Sequence, residues 1–434
     1  MLSKAQFQVT EDASLIRRLV EQEYERTGGI YRLAPAWVGR PGIIKPGRRL
    51  KLYRDYIQND IAVNERWFSS ITYSDNGVYN AICPKDHGLS YVLIGSHRML
   101  LRDVLEVCGE LLLGKGNRWD ILPKFFDNWE RIPNHIHPCA DHCANGIVAK
   151  PESYHFPIEA NMDKNAQPFT AVGVDPYFTD SQLSGYIKEY FHGDNRLTDI
   201  SNTINLIPGT GYFMPACTLH APGSLLTYEV QVASDASCIP ESRVNDMPMP
   251  PDMIDRDLPV KIAADGFDKV AEHIVGMLRC PNSGNAASFR EEYFRPPVQI
   301  CKEDGGEQSY VIYRTGKASE LENPDLYSAK KTVVSGRMQL AENGAFGMVV
   351  LGGYGELCVA GKQSVDVENM AFFENTDAIG ADEVFVSRDA ARALTAECKG
   401  TGELRFYQHF SSNTNPEASK LKVPEYFTFE GDVG

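Results

Sequence analysis

The sequence lacks the features that would place the protein in a membrane or on a nucleic acid. No stretch approaches the roughly 18 consecutive apolar residues that cross a bilayer. The first residues lack the charged segment and apolar run of a secretory leader. The formal net charge is −15, and no run rich in Lys and Arg stands out. We therefore expect a cytoplasmic protein whose main partner is neither a nucleic acid nor a membrane.

The ten cysteines are scattered along the chain rather than grouped at short spacings. Cys139 and Cys143 form the only close pair, and His142 beside them suggests a zinc knuckle. That interpretation requires a second Cys/His pair at finger spacing, and none follows in the sequence. A chain of 434 residues does not need disulfides to be stable, so we expect none.

Short apolar runs separated by Gly and Pro predict a mainly β protein of the sandwich or barrel type. Amphipathic patterns predict helices at 11–28, 99–113, 179–191 and 267–278. At this length two or more domains are expected. The predicted units are an N-terminal helix with a wrapping segment, a first β-barrel, a Pro-rich linker with a helix, a second β-barrel and a tail, at 1–60, 61–240, 241–284, 285–412 and 413–434.

Residues 131–155 concentrate side chains that bind metals. Four of the ten histidines lie in this stretch, with two cysteines, an aspartate and a glutamate. His135 and His137 are two residues apart, so on a β-strand both side chains point to the same face. His220, after a Gly- and Pro-punctuated strand, could supply a third imidazole. Imidazole suits zinc, copper, iron or nickel, so the pattern predicts a metal site.

The acidic ligand has two candidates. Asp141 falls four residues after His137, and Glu152 ends the run Lys150-Pro151-Glu152. His142 and His155 are further candidate ligands. For each of them we expect a position beside the metal site or on the surface instead.

Several motifs occur in an order that resembles the cupins and, within them, the type I mannose-6-phosphate isomerases. They are Leu122-Pro-Lys-Phe-Phe, His135-Ile-His137-Pro138, Lys150-Pro151-Glu152, Pro215-Ala-Cys-Thr-Leu-His220-Ala, Glu229 and Ser234-Asp235. The resemblance implies a bicupin, which is a pair of jelly-roll-type β-barrels with a few peripheral helices. The first barrel would bind the metal. The second would be metal-free, because His409 is its only histidine.

The resemblance also implies residue roles. It selects Glu152 over Asp141 as the acidic ligand. One divalent ion is implied, with zinc as the first choice and iron, manganese or nickel as alternatives. The implied metal ligands are His135, His137, Glu152 and His220, and the implied catalytic residues are Lys150, Glu229 and Arg243.

Two positions depart from the isomerases that the chain resembles. His135 stands where those enzymes carry Gln, which makes the ligand set three imidazoles and a carboxylate. Pro133 stands where they carry a Ser that helps to hold the substrate phosphate. Whether the substrate is phosphorylated is therefore left open.

Three functions are compatible with these residues. The first is a metal-dependent aldose–ketose isomerase for a sugar or sugar phosphate, in which Glu229 moves a proton through an enediol. The second is a non-catalytic carbohydrate-binding cupin. The third is a cupin oxygenase, which often uses three histidines and one carboxylate. The expected partner is a small-molecule carbohydrate, and a homodimer is a possible assembly.

Overall fold

A computed structural model of the chain describes residues 7–47, 49–50, 63–162, 168–320, 326–369 and 381–424. The fold is mainly β with a few helices, as the sequence predicted. The helices are α1 (Ala13–Thr27), α2 (Leu101–Leu113), α3 (Asp180–Lys188), α4 (Ile262–Asp265), α5 (Phe267–Leu278), α6 (Phe289–Tyr293), α7 (Lys317–Glu320) and α8 (Arg388–Ala393).

The strands of the N-terminal part are β1 (Gln8–Val9), β2 (Ile30–Ala34), β3 (Ala36–Gly39), β4 (Val63–Trp67), β5 (Tyr91–Ile94), β6 (His97–Leu100), β7 (Ile121–Phe126), β8 (His135–Ile136), β9 (Glu152–His155), β10 (Phe169–Val174), β11 (Ser201–Asn205), β12 (Gly211–Met214), β13 (Leu219–Pro222), β14 (Thr227–Val232), β15 (Arg243–Val244) and β16 (Met247–Pro248). Those of the C-terminal part are β17 (Phe294–Arg295), β18 (Val298–Glu303), β19 (Gly306–Ile312), β20 (Ser328–Val334), β21 (Arg337–Gln339), β22 (Phe346–Gly352), β23 (Tyr354–Cys358), β24 (Val365–Glu368), β25 (Glu383–Val386), β26 (Thr395–Cys398) and β27 (Leu404–Phe410).

These strands form two large sheets, two smaller ones and a hairpin. A seven-stranded sheet has the order β17-β12-β9-β14-β7-β4-β3, and its side chains meet those of the sheet β11-β10-β13-β8. A ten-stranded sheet has the order β1-β6-β5-β2-β25-β22-β27-β20-β19-β18, and the sheet β21-β26-β23-β24 packs on it. None of these sheets closes on itself within the described residues, so the pair of jelly-roll barrels remains a prediction.

The helix predictions agree with the structure to within a few residues. Helix α1 starts after Asp12, whose side chain accepts a hydrogen bond from the Leu15 N–H at 2.7 Å. It ends at Gly28, whose φ of 79° is the left-handed conformation that favours glycine. The predicted 267–278 helix is confirmed at both ends as α5. None of the described helices is both long and apolar enough to cross a membrane.

The N-terminal and C-terminal parts share one sheet and one core. Strand β2 pairs with β25, so that Tyr31 lies opposite Phe385. The largest buried cluster draws from both parts and includes Val20, Phe125 and Tyr407. The segment predicted to wrap the surface contributes β2 and β3 to two sheets, whereas its end at 51–60 lies outside the described residues. This packing holds the seven-stranded sheet, which carries half of the candidate site, against the C-terminal part.

The Pro-rich segment predicted as a linker is packed into the protein. Met253, Ile254 and Leu258 are buried in one cluster with residues of α5. The Ile239 N–H donates to the Met253 carbonyl at 2.9 Å. This segment therefore forms part of the wall behind the β13–β8 edge, where the histidines lie.

Candidate metal centre

The four side chains predicted to bind a metal lie together, and all are buried. His135 on β8 and His220 on β13 are direct partners across two antiparallel strands, with ring centroids 4.0 Å apart. His137 follows β8, and Glu152 lies on β9 in the facing sheet. One ligand atom from each residue lies within 4.8 Å of the others. We call these four residues the histidine–glutamate cluster.

Glu152 joins the three histidines from the opposite sheet. Its Oε1 lies 2.9 Å from His220 Nε2, and its Oε2 lies 3.0 Å from His137 Nε2. Lys150 Nζ approaches the same Oε2 at 3.4 Å. The Tyr154 hydroxyl donates to Oε1. Both carboxylate oxygens therefore face groups of the cluster or groups directly beside it.

The other candidates from the same stretch lie elsewhere. Asp141 is exposed on the 3-10 turn Ala140–His142 and is not in the cluster. The His142 ring stacks edge-on with His273 at 4.8 Å. His155 packs against Tyr407 at 5.6 Å, because it is three residues from Glu152 on β9 and so points to the opposite face.

The backbone orients each imidazole of the cluster in the same way. The Nδ1 atoms of His135, His137 and His220 lie 2.9, 2.8 and 2.8 Å from the carbonyl oxygens of Pro133, Ala236 and Thr218. A carbonyl accepts only, so each Nδ1 carries a proton, and in a neutral ring Nε2 then carries a lone pair. The buried Nε2 of His220 has no hydrogen-bond partner. Lone pairs that converge in this way fit a cation.

The protonation states also fit a cation. Burial lowers the pKa of His137 to about 4 and that of His135 well below its usual value, so both rings are neutral at pH 7. Burial works against ionisation of Glu152, but His137 and the Lys150 ammonium hold its pKa well below the ordinary value. Neutral imidazoles together with a carboxylate are a donor set for a divalent ion, and zinc is among the metals they suit.

Two of the three predicted catalytic side chains face the same cavity. Lys150 is buried with its Nζ 3.1 Å from His137 Nε2, and burial lowers its pKa. Glu229 on β14 is buried beside its strand partner Lys124, with 3.4 Å between Oε1 and Nζ. Burial and the charge of Glu152 raise the pKa of Glu229 to about 8. Such a carboxyl group titrates near neutral pH, as a general acid or base should.

The third predicted catalytic residue is not in the site, and that prediction is wrong. Arg243 lies on the β15–β16 hairpin, its side chain is exposed, and it donates to the Asp246 carbonyl at 3.0 Å. It does not line the cavity. The family spacing that suggested Arg243 is altered in this chain, and the shift moves the residue onto the surface hairpin.

Other charged side chains, which the sequence did not single out as catalytic, line the cavity instead. The Arg40 guanidinium binds Glu65 at 2.7 Å and both carboxylate oxygens of Asp235 at 2.8 Å each. Lys124 lies between Glu65 and Glu229, at 3.6 and 3.4 Å. Lys124 and Asp235 lie within the motifs that resemble those of the isomerases, and this position could have identified them as cavity residues from the sequence. Arg40 carries no comparable signal, because it follows β3 far from any of those motifs.

The cavity beside the histidine–glutamate cluster is large enough for a small ligand. Its volume is about 90 Å³, several times the roughly 10–15 Å³ that one water needs. His135, His137, Lys150, Glu152 and Glu229 all contribute to its lining. The metal-binding atoms of His135, His137 and Glu152 and the ionisable group of Glu229 are therefore accessible to one and the same bound molecule.

A disulfide, which the sequence did not predict, joins the two segments that carry the histidines. It links Cys139 to Cys217 across 78 residues of sequence. Cys139 follows His137 by two residues, and Cys217 precedes His220 by three. The thiol of Cys280 lies 3.6 Å from the Cys139 sulfur. The expectation of no disulfide is corrected, because the fold brings together cysteines that are far apart in the sequence.

Comparison with known proteins supports the fold. No protein-family model matches the chain, and no curated protein matches it. Solved structures of mannose 6-phosphate isomerases do match. The Bacillus subtilis enzyme has a TM-score of 0.56 and 17% identity, over 88% of this chain and 99% of its own. A zinc-bound mannose 6-phosphate isomerase has a TM-score of 0.55 and 13% identity, over 88% of this chain and 100% of its own.

A mutant of phosphomannose isomerase from Salmonella typhimurium gives a similar result, with a TM-score of 0.54 and 13% identity over 88% of this chain and 100% of its own. The fold and the site together define a mainly β protein with a buried histidine–glutamate cluster that suits a divalent metal. The particular fold is that of the mannose-6-phosphate isomerases, which confirms the resemblance seen in the motifs. At these identities the likeness establishes the fold and leaves the reaction to be argued from the site.

Proposed function

We propose that the protein is a metal-dependent aldose–ketose isomerase that acts on a small carbohydrate. The observation that carries the proposal is the position of Glu229, an ionisable carboxyl group in the same cavity as the histidine–glutamate cluster. An aldose–ketose isomerase needs a base that can move a proton between two adjacent carbons and a group that stabilises the intermediate oxyanion. The cavity offers both.

The ion that we propose is divalent, with zinc as the first choice. His135, His137, Glu152 and His220 would hold it, and when bound it would polarise the carbonyl of the sugar. Glu229 takes the proton from the carbon next to that carbonyl and returns it to the neighbouring carbon. Lys124, 3.4 Å from Glu229, stabilises the carboxylate form that accepts the proton. The Lys150 ammonium can donate a hydrogen bond to an oxygen of the enediol.

Exchange of a substrate proton with solvent tests the proposal. The metal-loaded full chain is incubated with a panel of aldoses and their phosphates in deuterated water, and deuterium next to the carbonyl is measured by NMR. We expect incorporation with at least one sugar, and we expect Glu229→Gln to slow it by about 10²–10⁴-fold, the usual contribution of a general base. Glu159→Gln is the matched control, since Glu159 pairs with Lys331 and does not line the cavity.

Two other functions predict different results for the same purified protein. The set of three histidines and one carboxylate also suits an oxygenase, which would contain iron or copper and consume oxygen when a substrate is added. A binding protein would be stabilised by a sugar and would show no exchange. If every sugar in the panel fails to exchange with the metal-loaded protein, the isomerase proposal is excluded.

A further inference from the structure

The charges that line the cavity show what kind of sugar it is built to hold. Four cationic side chains line it, Arg40, Lys124, Lys150 and Arg256, against five carboxylates. All four lie in the described part of the chain, and each of them already has a carboxylate partner there. Lys150 shares Glu152 with the proposed metal, so within the described wall it is the cation that a bound ligand can still engage.

Arg40 is the most strongly engaged of these cations. A guanidinium has five N–H donors in a fixed fork. The Nε atom donates to Glu65 at 2.7 Å, and the two terminal nitrogens donate to the two oxygens of Asp235 at 2.8 Å each. Weaker contacts at 3.3 Å to the Asp75 carbonyl and at 3.5 Å to Glu65 occupy the remaining donors. This is the bidentate geometry that would otherwise hold a phosphate.

The other three cations also lie beside carboxylates. Lys124 lies between two carboxylates, and Lys150 lies 3.4 Å from Glu152. Arg256 lies 3.1 Å from Asp257 and donates to the Asp235 carbonyl at 3.2 Å. To bind Arg40, Lys124 or Arg256, a phosphate dianion would have to displace a carboxylate and leave it buried without its partner, which is strongly unfavourable for a buried charge.

One carboxylate lacks a hydrogen-bond donor. Oε1 of Glu229 is buried and accepts no hydrogen bond, although Lys124 Nζ lies 3.4 Å away. A hydroxyl group can donate to such an oxygen, whereas a phosphate dianion brings only acceptors. The cavity thus has an acceptor for a sugar hydroxyl, whereas the donors of Arg40 are already used. The hydroxyls of a neutral sugar match that pattern, whereas the added phosphate of a sugar phosphate would meet an arginine that Asp235 already occupies.

We infer that the cavity takes an uncharged polyhydroxy aldehyde or ketone, an unphosphorylated sugar, and that Asp235 excludes phosphorylated sugars by occupying Arg40. This inference rests on the proposed isomerase function and narrows its substrate class. Asp235 acts as a specificity-determining residue through Arg40, without a part in proton transfer.

The first test compares matched ligands on the zinc-loaded full chain. Neutral aldohexoses, the same hexoses as 6-phosphates, and inorganic phosphate are titrated while thermal stability and deuterium exchange are followed. We expect a neutral hexose to bind at least tenfold more tightly than its 6-phosphate and to be the one that exchanges. Inorganic phosphate should leave the melting temperature unchanged.

The second test changes the residue that occupies the arginine. Asp235→Asn removes one charge from the Arg40 fork, so we expect the affinity for a hexose 6-phosphate and for inorganic phosphate to rise at least tenfold relative to the unchanged chain. The matched control is Glu241→Gln, which removes a carboxylate from an equally bidentate pair with Arg131 at 2.7 Å outside the cavity lining. Each variant is compared with its own unliganded melting temperature, which removes any difference in basal stability.

The outcomes separate this inference from the function on which it rests. Exchange with hexose 6-phosphates and none with neutral hexoses would leave an isomerase and overturn the inference, as would equal affinity for both classes. An absence of binding and exchange with both classes would overturn the inference and the proposed function together. A neutral hexose that binds and exchanges selectively supports both, and a gain of phosphate affinity in Asp235→Asn assigns the selectivity to Asp235.

Discussion

At the scale of single residues, the site depends on spacing that is already visible in the chain. His135 and His137 face the same way because they are two residues apart on an extended segment, and Glu152 meets them from the opposite sheet. The choice between Glu152 and Asp141 as the acidic ligand also depends on single residues. The structure separates them clearly, since one is buried among the imidazoles and the other is exposed.

We predict that His220→Ala and Glu152→Gln lose the bound metal, because each removes one of four ligands and weakens affinity by at least about 100-fold, more than the loss of an outer hydrogen bond. Asp141→Asn, the control, should keep the wild-type metal content. The measurement is elemental analysis of the purified proteins after dialysis. Full metal content in His220→Ala would rule out the histidine–glutamate cluster as the site.

At the scale of elements, the centre depends on the edge where β8 meets β13. The Cys139–Cys217 disulfide ties the end of β8 to the turn before β13, and the Cys217 N–H donates to the His137 carbonyl at 2.7 Å. Cys217 has a φ of 62°, the left-handed conformation that is uncommon for residues other than glycine. Three imidazoles are thereby held on two short strands that would be weak alone.

We predict that reducing the disulfide lowers the free energy of unfolding by roughly 4 kcal/mol, the chain-entropy value for a loop of this length. The measurement is urea unfolding with and without a reductant that is strong enough to cleave the bond. A Cys139→Ala/Cys217→Ala double variant should be less stable and should no longer respond to the reductant. Cys398→Ser, remote from the bond, should respond like the unchanged chain. If the unchanged chain unfolds identically with and without the reductant, the disulfide is contradicted.

At the scale of the whole molecule, buried polar contacts join the N-terminal and C-terminal parts. Arg66 on β4 binds Asp382 at 2.5 Å and Glu383 at 3.2 Å, and all three are buried. The rings of Tyr228 and Tyr407 stack at 4.3 Å across the same junction. The sheet that carries Glu229 and Glu152 is therefore supported by strands from the other end of the chain.

We predict that Arg66→Ala destabilises the protein by about 3–5 kcal/mol, because it leaves two buried carboxyl groups without their cation. Arg102→Ala is the control, since Arg102 is half-exposed and pairs with Asp103 at 3.2 Å. Chemical unfolding measures both. Equal stability of the two variants would mean that the junction contributes little.

A pH dependence follows from buried histidines outside the metal centre. Burial lowers the pKa of His155 and His409 to about 3 and that of His87 to about 4. The unfolded chain takes up these protons near pH 6.5, whereas the folded chain does not. Stability from these groups is therefore complete above pH 6.5 and is lost as the pH falls toward 3, by roughly 2–3 kcal/mol per histidine at pH 4.5.

Urea unfolding at pH 7 and pH 4.5 measures this loss. His409→Asn should show a smaller loss between the two pH values than the unchanged chain, because one of the coupled protonations is gone. His192→Gln is the control, since that ring is exposed and should not alter the dependence. A His409→Asn loss as large as that of the unchanged chain would exclude His409 as a source of acid instability.

Much of the centre was predictable because it depends on local periodicity. The alternation of side chains along a strand put His135 and His137 on one face, and helical periodicity gave both ends of α5. The order of the motifs also predicted Glu152 and His220 as ligands and the type of fold. These features follow from neighbouring residues or from short motifs, so the sequence by itself determined the mainly β class, the candidate metal-binding set and the presence of Glu229.

The tertiary structure alone decided what surrounds that set. Arg40 reaches Asp235 across 195 positions, Arg243 falls on a surface hairpin, and Cys139 meets Cys217. Such contacts depend on which strands pair and which sheets face each other, and no local pattern encodes that choice. The charge balance of the cavity therefore exists only in the folded chain.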